Sequence, residues 1–103
     1  MRGRMKALAH EWHEGPAPDA PVLVLLHGWS VERRSWAALL PWLTPHCRVL
    51  AIDLPGHGGS DWRAEDADLA VMCKRVLEVA PPEAFWLGWS LGGLLALQLA
   101  AQP

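Results

Sequence analysis

Apolar residues along the 103-residue chain fall into short runs and periodic segments, separated by proline and glycine clusters. Val22 to Leu26 is a continuous apolar run, which predicts a central parallel strand with helices covering both of its faces. Arg48 to Asp53 predicts a second buried strand, and Phe85 to Gly88 predicts a third. A less regular pattern at Lys6 to His13 predicts an early strand near the start of the chain.

Segments with a helical spacing of apolar residues follow these strands. Glu32 to Leu43 predicts an amphipathic helix, disturbed at Pro41, with Arg33 and Arg34 facing water. Asp66 to Val79 predicts a second helix, with its apolar residues along one stripe. Each of these helices therefore has one face to bury against a sheet.

The last predicted helix, Leu91 to Ala101, is apolar on nearly all sides, which is typical of a helix buried against a sheet. Strands that alternate with helices imply right-handed crossovers and a mainly parallel sheet, so the predicted fold class is α/β. The proline-rich loop Gly15 to Pro21 closes an early strand region (residues 1–21), and the core follows at residues 22–103. We predict one domain, with functional residues at the C-terminal ends of its strands.

Composition and charge narrow the class of partner. The chain is 51% hydrophobic and 19% charged, which is typical of a globular protein. Its formal charge is -2, and acidic and basic residues are mixed along it. Because no basic stripe is present, we predict neither nucleic-acid nor membrane binding, and a small-molecule partner is favoured.

The cysteines and the start of the chain indicate a reducing compartment. Cys47 and Cys73 lack the Cys-x-x-Cys spacing of a metal or redox site, so we expect reduced, partly buried thiols. The basic start, Met1 to Lys6, is followed by Ala7 to His10, which is too short and too polar for the apolar part of a signal peptide. We therefore predict a cytoplasmic protein.

The strongest motif, Gly88-Trp89-Ser90-Leu91-Gly92, matches G-x-S-x-G and lies between a predicted strand and a predicted helix. A serine hydroxyl is a poor nucleophile at neutral pH, so it must be exposed on a tight turn where a histidine takes its proton. The motif predicts Ser90 as that nucleophile, with Gly88 and Gly92 making room for the turn. The alternative is a glycine-rich turn whose serine only caps the helix.

A second motif, His27-Gly28-Trp29, directly follows the predicted central strand. An ester hydrolase must stabilise a tetrahedral oxyanion, which two backbone N–H groups do at low reorganisation cost. The N–H of Leu91, one residue past the nucleophile, and the N–H of Trp29 are the predicted pair. We expect His27 to order the loop through hydrogen bonds rather than to act as a base.

The third motif is the glycine-rich loop Asp53 to Ser60. It matches neither G-x-G-x-x-G nor the P-loop, so a phosphate-binding role is not predicted. Asp53 and His57 precede Ser90, whereas the acid and the histidine of this kind of triad follow the serine. All five histidines of the chain precede Ser90, so none of them is assigned as its base.

The chain contains seven tryptophans, and we expect most of them in the core or packed on helices. Trp29 and Trp89 differ because each adjoins a predicted catalytic element. Two interpretations stay open for this pair: they wall an apolar acyl-binding site, or they are packing residues only.

These motifs resemble the α/β-hydrolase superfamily, and within it the pimeloyl-acyl-carrier-protein methyl ester esterases of biotin synthesis. The similarity runs from about Val22 to the end and is carried by Leu25 to Trp29, Asp53 to Gly58 and Trp86 to Leu94. The resemblance implies a serine carboxylic ester hydrolase. Its substrate would be the methyl ester of a pimeloyl chain carried on acyl carrier protein, and it would need neither a metal nor an organic cofactor.

The resemblance also implies Ser90 as nucleophile, and the N–H groups of Trp29 and Leu91 as oxyanion donors. Members of the family continue far beyond this length, through a lid, the acid and the histidine. We therefore expect the chain to be the N-terminal part of a hydrolase and nearly inactive alone. In that family the strand before the serine is interior to the sheet, so we expect one unpaired strand edge here, open to self-association.

Two other functions stay open. The same fold supports acyl transfer, carbon–carbon bond hydrolysis and haloperoxidase-like reactions, and the missing lid and C-terminal half hold the residues that discriminate among them. The chain is alternatively a non-catalytic module that pairs its sheet edge with a partner chain.

Overall fold

The computed structural model describes residues 6–101, so the first five residues and the last two, Gln102 and Pro103, lie outside the described residues. Four strands form one sheet: β1 (His10–His13), β2 (Val22–Leu26), β3 (Arg48–Ile52) and β4 (Phe85–Gly88). Their order is β1-β3-β2-β4, with β1 antiparallel to β3 and the other pairs parallel. The predicted α/β class is confirmed, and so are the three later strands to within one residue.

The first helical segment is shorter than predicted. A 3₁₀ turn at Arg33–Trp36 precedes α1 (Leu40–Leu43), so the prediction of one helix from Glu32 was wrong. Pro41 lies in the first turn of α1, where its missing N–H costs no helical hydrogen bond. The break therefore comes before the proline rather than at it.

The second helical segment also starts late. A 3₁₀ turn at Ala64–Ala67 precedes α2 (Leu69–Leu77). The side chain of Asp68 accepts a hydrogen bond from the N–H of Ala70 and so caps the first turn of α2. The last helix, α3 (Leu91–Ala100), begins directly after the serine of the G-x-S-x-G motif.

Strand β2 is buried on both faces, as the sequence predicts. One face packs against α2 and α3, and the buried apolar residues of that layer include Val24, Leu26, Leu50, Ile52, Met72, Val76 and Leu95. On the other face of the sheet, Leu25 of β2 and Val49 of β3 pack against Trp36 and α1. The central strand is thus held between two apolar layers.

Helix α3 is buried against the sheet, as predicted, but its other side is open to solvent although its residues there are apolar too. Leu95 and Leu99 are buried against the sheet, whereas Leu94 and Leu97 are 56% and 72% exposed. The difference arises because no residue among 6–101 covers that side of α3. This open side continues onto β4, where the side chain of Phe85 is exposed.

The expectation that most tryptophans are buried was wrong. Trp36 is buried and Trp86 is half-buried, while the remaining five are exposed: Trp12, Trp29, Trp42, Trp62 and Trp89. These exposed indoles lie on the edge strand β1, on the short helix α1 or in loops, rather than on the inward faces of the sheet.

Both cysteines have free thiols, as expected, with Cys73 buried and Cys47 half-buried. Burial raises the pKa of the Cys73 thiol above its ordinary value. Within the described part of the chain, no helix combines the length and the apolar character needed to cross a membrane.

Candidate active site

Ser90 lies on the sharp turn between β4 and α3, and its backbone φ is 56°. A positive φ is uncommon for a residue with a side chain and persists where the surroundings impose it. Here the N–H of Trp89 donates to the carbonyl of Leu26, at 3.0 Å, and anchors the turn to the end of β2. The Ser90 side chain forms no capping hydrogen bond with α3, so the interpretation of Ser90 as a mere helix cap was wrong.

The turn requires both of its glycines. A β-carbon on Gly92 would collide with the backbone carbonyls of Leu26 and His27, because α3 begins in direct contact with the end of β2. A β-carbon on Gly88 would collide with the backbone of Gly92. The two glycines therefore allow strand and helix to approach closely enough to expose Ser90.

The loop after β2 lies against this turn. Leu26 and Gly88, the last residues of β2 and β4, are register partners, so the two strands end side by side. The indole of Trp89 covers Gly28, where a β-carbon would lie 2.6 Å from a ring carbon. The loop carrying the N–H of Trp29 is thus in contact with the turn carrying the N–H of Leu91. The N–H of Leu91 has no hydrogen-bond partner within α3 because Leu91 is in the first turn of that helix.

His27 orders this loop, as predicted. Its side chain is fully buried, and its Nε2 accepts a hydrogen bond from the N–H of Leu54 at 2.9 Å. Its Nδ1 therefore carries the proton and donates to the carbonyl of Gly28 at 2.7 Å. Burial lowers the pKa of His27, so the ring stays neutral in the folded chain.

Asp53, at the end of β3, is a buried hub rather than a triad acid. Its carboxylate accepts hydrogen bonds from the N–H groups of Arg33 and Gly59 at 2.7 and 2.9 Å, and pairs with the Arg33 guanidinium. The prediction that Arg33 faces water was therefore wrong, because a buried carboxylate requires a cation or several donors. Arg34 does face water, beside Glu32.

No histidine among residues 6–101 is placed to accept the Ser90 proton. His27 and His57 have both ring nitrogens in hydrogen bonds with other groups. His10 and His13 lie on β1, which two strands separate from β4. His46 precedes β3, at the end of the sheet opposite Ser90.

Trp29 and Ser90 line different concave surfaces. Trp29, 62% exposed, lines a cavity of about 520 Å³ together with His57 and Trp62. Ser90 lines a wider groove of about 960 Å³ that runs along β4 and α3. Trp89 is 70% exposed, so it is no core packing residue, and its role in an acyl-binding site stays a prediction.

Two structurally important residues were not singled out from the sequence. The sequence did contain a sign that Asp53 needs a cationic partner, since an acid directly after a buried strand is itself expected to be buried. Arg33 was not identified as that partner because its position in a predicted amphipathic helix suggested a solvated side chain. Ser30 had no such sign: nothing in the local sequence predicts its φ of 73°. Among residues 6–101, no cluster of three or more histidine, cysteine or acidic side chains is arranged to hold a metal ion.

Comparisons with known proteins agree with this geometry. The pimeloyl-[acyl-carrier protein] methyl ester esterase of Klebsiella pneumoniae is 50% identical over 78 residues, covering 76% of this chain and 30% of that protein. The protein of the same name from Methylococcus capsulatus is 48% identical over 80 residues, covering 78% of this chain and 31% of that protein. The chain thus spans about 30% of the length of these curated relatives.

A solved structure of a hydrolase from Pseudomonas aeruginosa superposes with a TM-score of 0.83 and 36% identity, covering 90% of this chain and 36% of that one. The family model for the alpha/beta hydrolase fold matches residues 21–103, which is most of the chain. The sharp turn at Ser90, the mainly parallel sheet and this match lead to one conclusion: the chain belongs to the α/β-hydrolase fold family.

Proposed function

We propose that this chain carries the nucleophile and the oxyanion donors of a serine carboxylic ester hydrolase, and that its complete form acts on an acyl-carrier-protein methyl ester. One observation carries the proposal: Ser90 is held at positive φ against the loop after β2, in a chain that is 50% identical over 78 residues to a methyl ester esterase. The proposal includes the pimeloyl chain as the acyl group and the cytoplasm as the location. It involves no metal or organic cofactor.

The chemistry follows from the positions of the groups. The Ser90 hydroxyl oxygen attacks the ester carbonyl carbon while its proton passes to a histidine supplied from outside this chain. The resulting oxyanion accepts hydrogen bonds from the N–H groups of Trp29 and Leu91. The tetrahedral intermediate then collapses, methanol leaves with the proton, and water hydrolyses the acyl-Ser90 ester by the same steps.

The acyl-binding site is the second part of the proposal. The exposed indoles of Trp29 and Trp89 lie on the two segments that meet at the end of β2. Apolar walls with a few polar groups are typical of pockets for acyl chains. The wall would be completed by the part of the hydrolase that follows α3.

The test uses residues 1–103 joined to the C-terminal part of the Klebsiella pneumoniae esterase beyond its matched segment. We expect this chimera to hydrolyse pimeloyl-acyl-carrier-protein methyl ester and to react with a serine-directed fluorophosphonate. Ser90→Ala should abolish both activities, while Ser35→Ala, at an exposed serine, should leave both unchanged. Unchanged turnover by the Ser90→Ala variant would overturn the assignment of the nucleophile.

A second candidate function has its own observation. Among the described residues, β4 pairs only with β2, so its other edge presents free N–H and C=O groups beside the open side of α3. We propose that this edge is an assembly surface. Its occupant would be a polypeptide equivalent to the remaining two thirds of the esterases, because the matched relatives have that much more chain.

Separate expression of the two parts tests this second candidate. Residues 1–103 mixed with the C-terminal part of the Klebsiella esterase should form a one-to-one complex on size-exclusion chromatography with light scattering. A Leu87→Lys change on β4 should weaken the complex, since a charge on an edge strand opposes pairing. If residues 1–103 form only homodimers, the edge binds a second copy of the chain and the proposed occupant is wrong. If they stay a monodisperse monomer that does not bind the C-terminal part, the edge is not an assembly surface.

A further inference from the structure

Two loops meet beside the nucleophile, and two histidines join them. The oxyanion loop, residues 27–32, follows β2, and the glycine-rich loop, residues 53–60, follows β3. The rings of His27 and His57 lie 5.0 Å apart, centre to centre. Each ring accepts a hydrogen bond from the loop opposite its own: His27 from Leu54, and His57 from Ser30.

The geometry of His57 defines its protonation. Its Nε2 accepts a hydrogen bond from the N–H of Ser30 at 3.0 Å, so this nitrogen carries no proton. Its Nδ1 lies 2.9 Å from the carbonyl oxygen of Pro55, which only accepts, so the proton is on Nδ1. The Trp29 ring packs edge-on against the His57 ring at 4.9 Å, which further fixes its plane.

The two histidines hold consecutive peptide units on either side of the Trp29 α-carbon. His27 donates to the Gly28 carbonyl, which belongs to the same planar peptide as the N–H of Trp29. His57 accepts from the N–H of Ser30, which belongs to the next peptide. The direction of the Trp29 N–H is therefore determined from both sides.

The backbone of Ser30 shows that this arrangement is imposed on the loop. Its φ of 73° lies in the left-handed region, which a serine rarely adopts without external constraint. The hydrogen bond to His57 is the contact that holds the Ser30 N–H in this conformation. If His57 no longer accepts this hydrogen bond, the constraint that holds Ser30 at positive φ is lost.

We propose that His57 is a positioning residue for the oxyanion loop: through its neutral Nε2 it fixes the Trp29–Ser30 peptide, and so aims the N–H of Trp29. The catalytic meaning of this role rests on the proposed ester hydrolysis. The hydrogen bond itself does not, so the two are tested separately.

The first test measures which ring nitrogen of His57 carries the proton in residues 1–103. Long-range proton–nitrogen correlation spectra of ¹⁵N-histidine-labelled chain should show His57 with a protonated Nδ1 and an unprotonated, hydrogen-bonded Nε2. His57→Gln identifies the His57 signals by their loss. A His57 ring protonated on Nε2 would overturn the proposal, because that nitrogen would then have no lone pair for the Ser30 N–H.

The second test compares two substitutions that differ in one acceptor. His57→Leu removes the acceptor, and the Ser30 amide should exchange with deuterium about tenfold faster. His57→Gln supplies an amide oxygen near the position of Nε2 and should restore slow exchange. The Leu54 amide, bonded to His27, serves as the internal control and should change little in either variant. Equal exchange rates of the Ser30 amide in the unsubstituted chain and in both variants would contradict the proposal. If the His57→Leu variant does not fold, the protonated ring nitrogen of His57 and the exchange rate in the His57→Gln variant decide the matter.

The chimera then measures the catalytic consequence. His57→Leu should lower kcat by about tenfold or more with little change in KM, because an oxyanion donor acts in the transition state, and His57→Gln should retain most of kcat. Equal kcat in both variants would refute the catalytic role. If the Ser90→Ala variant of the chimera keeps its turnover, the proposed function is wrong. The spectroscopic and exchange results still test the hydrogen bond between His57 and Ser30 independently.

Discussion

The two sides of Ser90 differ in how completely their groups are hydrogen-bonded and buried. On the side of β2 and β3, the loops after the strands are joined by His27, His57 and the buried carboxylate of Asp53. On the side of β4 and α3, the outer edge of β4 is unpaired within residues 6–101 and Leu97 is 72% exposed. Ser90 lies on the boundary between a braced half and an open half.

The difference shows that one side of Ser90 is stabilised by hydrogen bonds within the chain, whereas the other side has exposed apolar groups that a further layer could cover. Backbone groups that stabilise a developing charge must be preorganised, and the hydrogen bonds within residues 6–101 would meet that requirement in the braced half for the proposed oxyanion donors. Exposed apolar side chains such as those on β4 and α3 are typical of interaction surfaces when they form a large patch, which agrees with the proposed assembly surface. We therefore expect perturbations of the boundary, the braced half and the open half to have progressively smaller effects on the stability of this chain.

The largest effect is expected at the boundary, from Gly92→Ala. The new β-carbon would collide with the carbonyls of Leu26 and His27, which belong to the backbone and cannot move aside. We expect the free energy of unfolding in urea to fall by about 3 kcal/mol. Gly93→Ala is the matched control: its β-carbon would lie 3.5 Å from the Gly88 carbonyl, an ordinary contact, and helix propensity should make it neutral or stabilising. Equal effects at both positions would mean that α3 does not pack against β2 as described.

A slightly smaller loss is expected in the braced half, from Asp53→Asn. The change removes the buried charged partner of the half-buried Arg33 guanidinium, which keeps only the exposed Glu11, and replaces an acceptor of the Gly59 N–H with a neutral one. We expect a loss of about 2 kcal/mol, lower than for a fully buried pair because Arg33 is partly exposed. Glu11→Gln, at the exposed carboxylate 3.6 Å from Arg33, should change the stability by less than about 0.5 kcal/mol. Similar effects of the two substitutions would show that Asp53 is not the hub of these loops.

Acid should weaken the braced half through His27. Burial lowers the folded-state pKa of His27 below its ordinary value of 6.5, so the unfolded chain binds more protons as the pH falls through this range. The free energy of unfolding should therefore decrease between about pH 7.5 and about pH 5.5, above the range where carboxylates titrate. His27→Gln should be less stable at neutral pH but should lose less stability on acidification. An unchanged pH slope in that variant would assign the acid sensitivity to other groups.

The smallest effect on stability is expected on the open side of α3. Leu97→Lys places a charge where the side chain already meets water, so the free energy of unfolding should change by less than about 0.5 kcal/mol. Its effect should instead be on association through this surface, measured by light scattering. Leu95→Ala, two residues away on the buried side, should cost about 3 kcal/mol and gives the contrast. A large loss from Leu97→Lys would mean that this side of α3 is covered within the chain.

The sequence predicted the elements best where one physical signal dominated. Val22 to Leu26 and Phe85 to Gly88 are strands as predicted, because apolar runs bounded by turn-forming residues have few other stable arrangements. The helix predicted from Glu32 was wrong, since apolar spacing alone did not show that a 3₁₀ turn ends at Trp36 before α1 begins. Buried tryptophans were also predicted wrongly, because residue type indicates a tendency to be buried but not the presence of a neighbouring layer.

The position of Ser90 on a sharp strand-to-helix turn was determined by the sequence itself, since a serine between two glycines, after an apolar strand and before a helix, adopts few other geometries. The fold class followed from the alternation of strands and helices for the same reason, because both are local patterns. Only the tertiary structure decided that Arg33 turns inward to Asp53, and that Ser30 is held at positive φ by His57. These contacts join segments 20 and 27 residues apart, and their partners are set by how the strands lie side by side rather than by any local pattern.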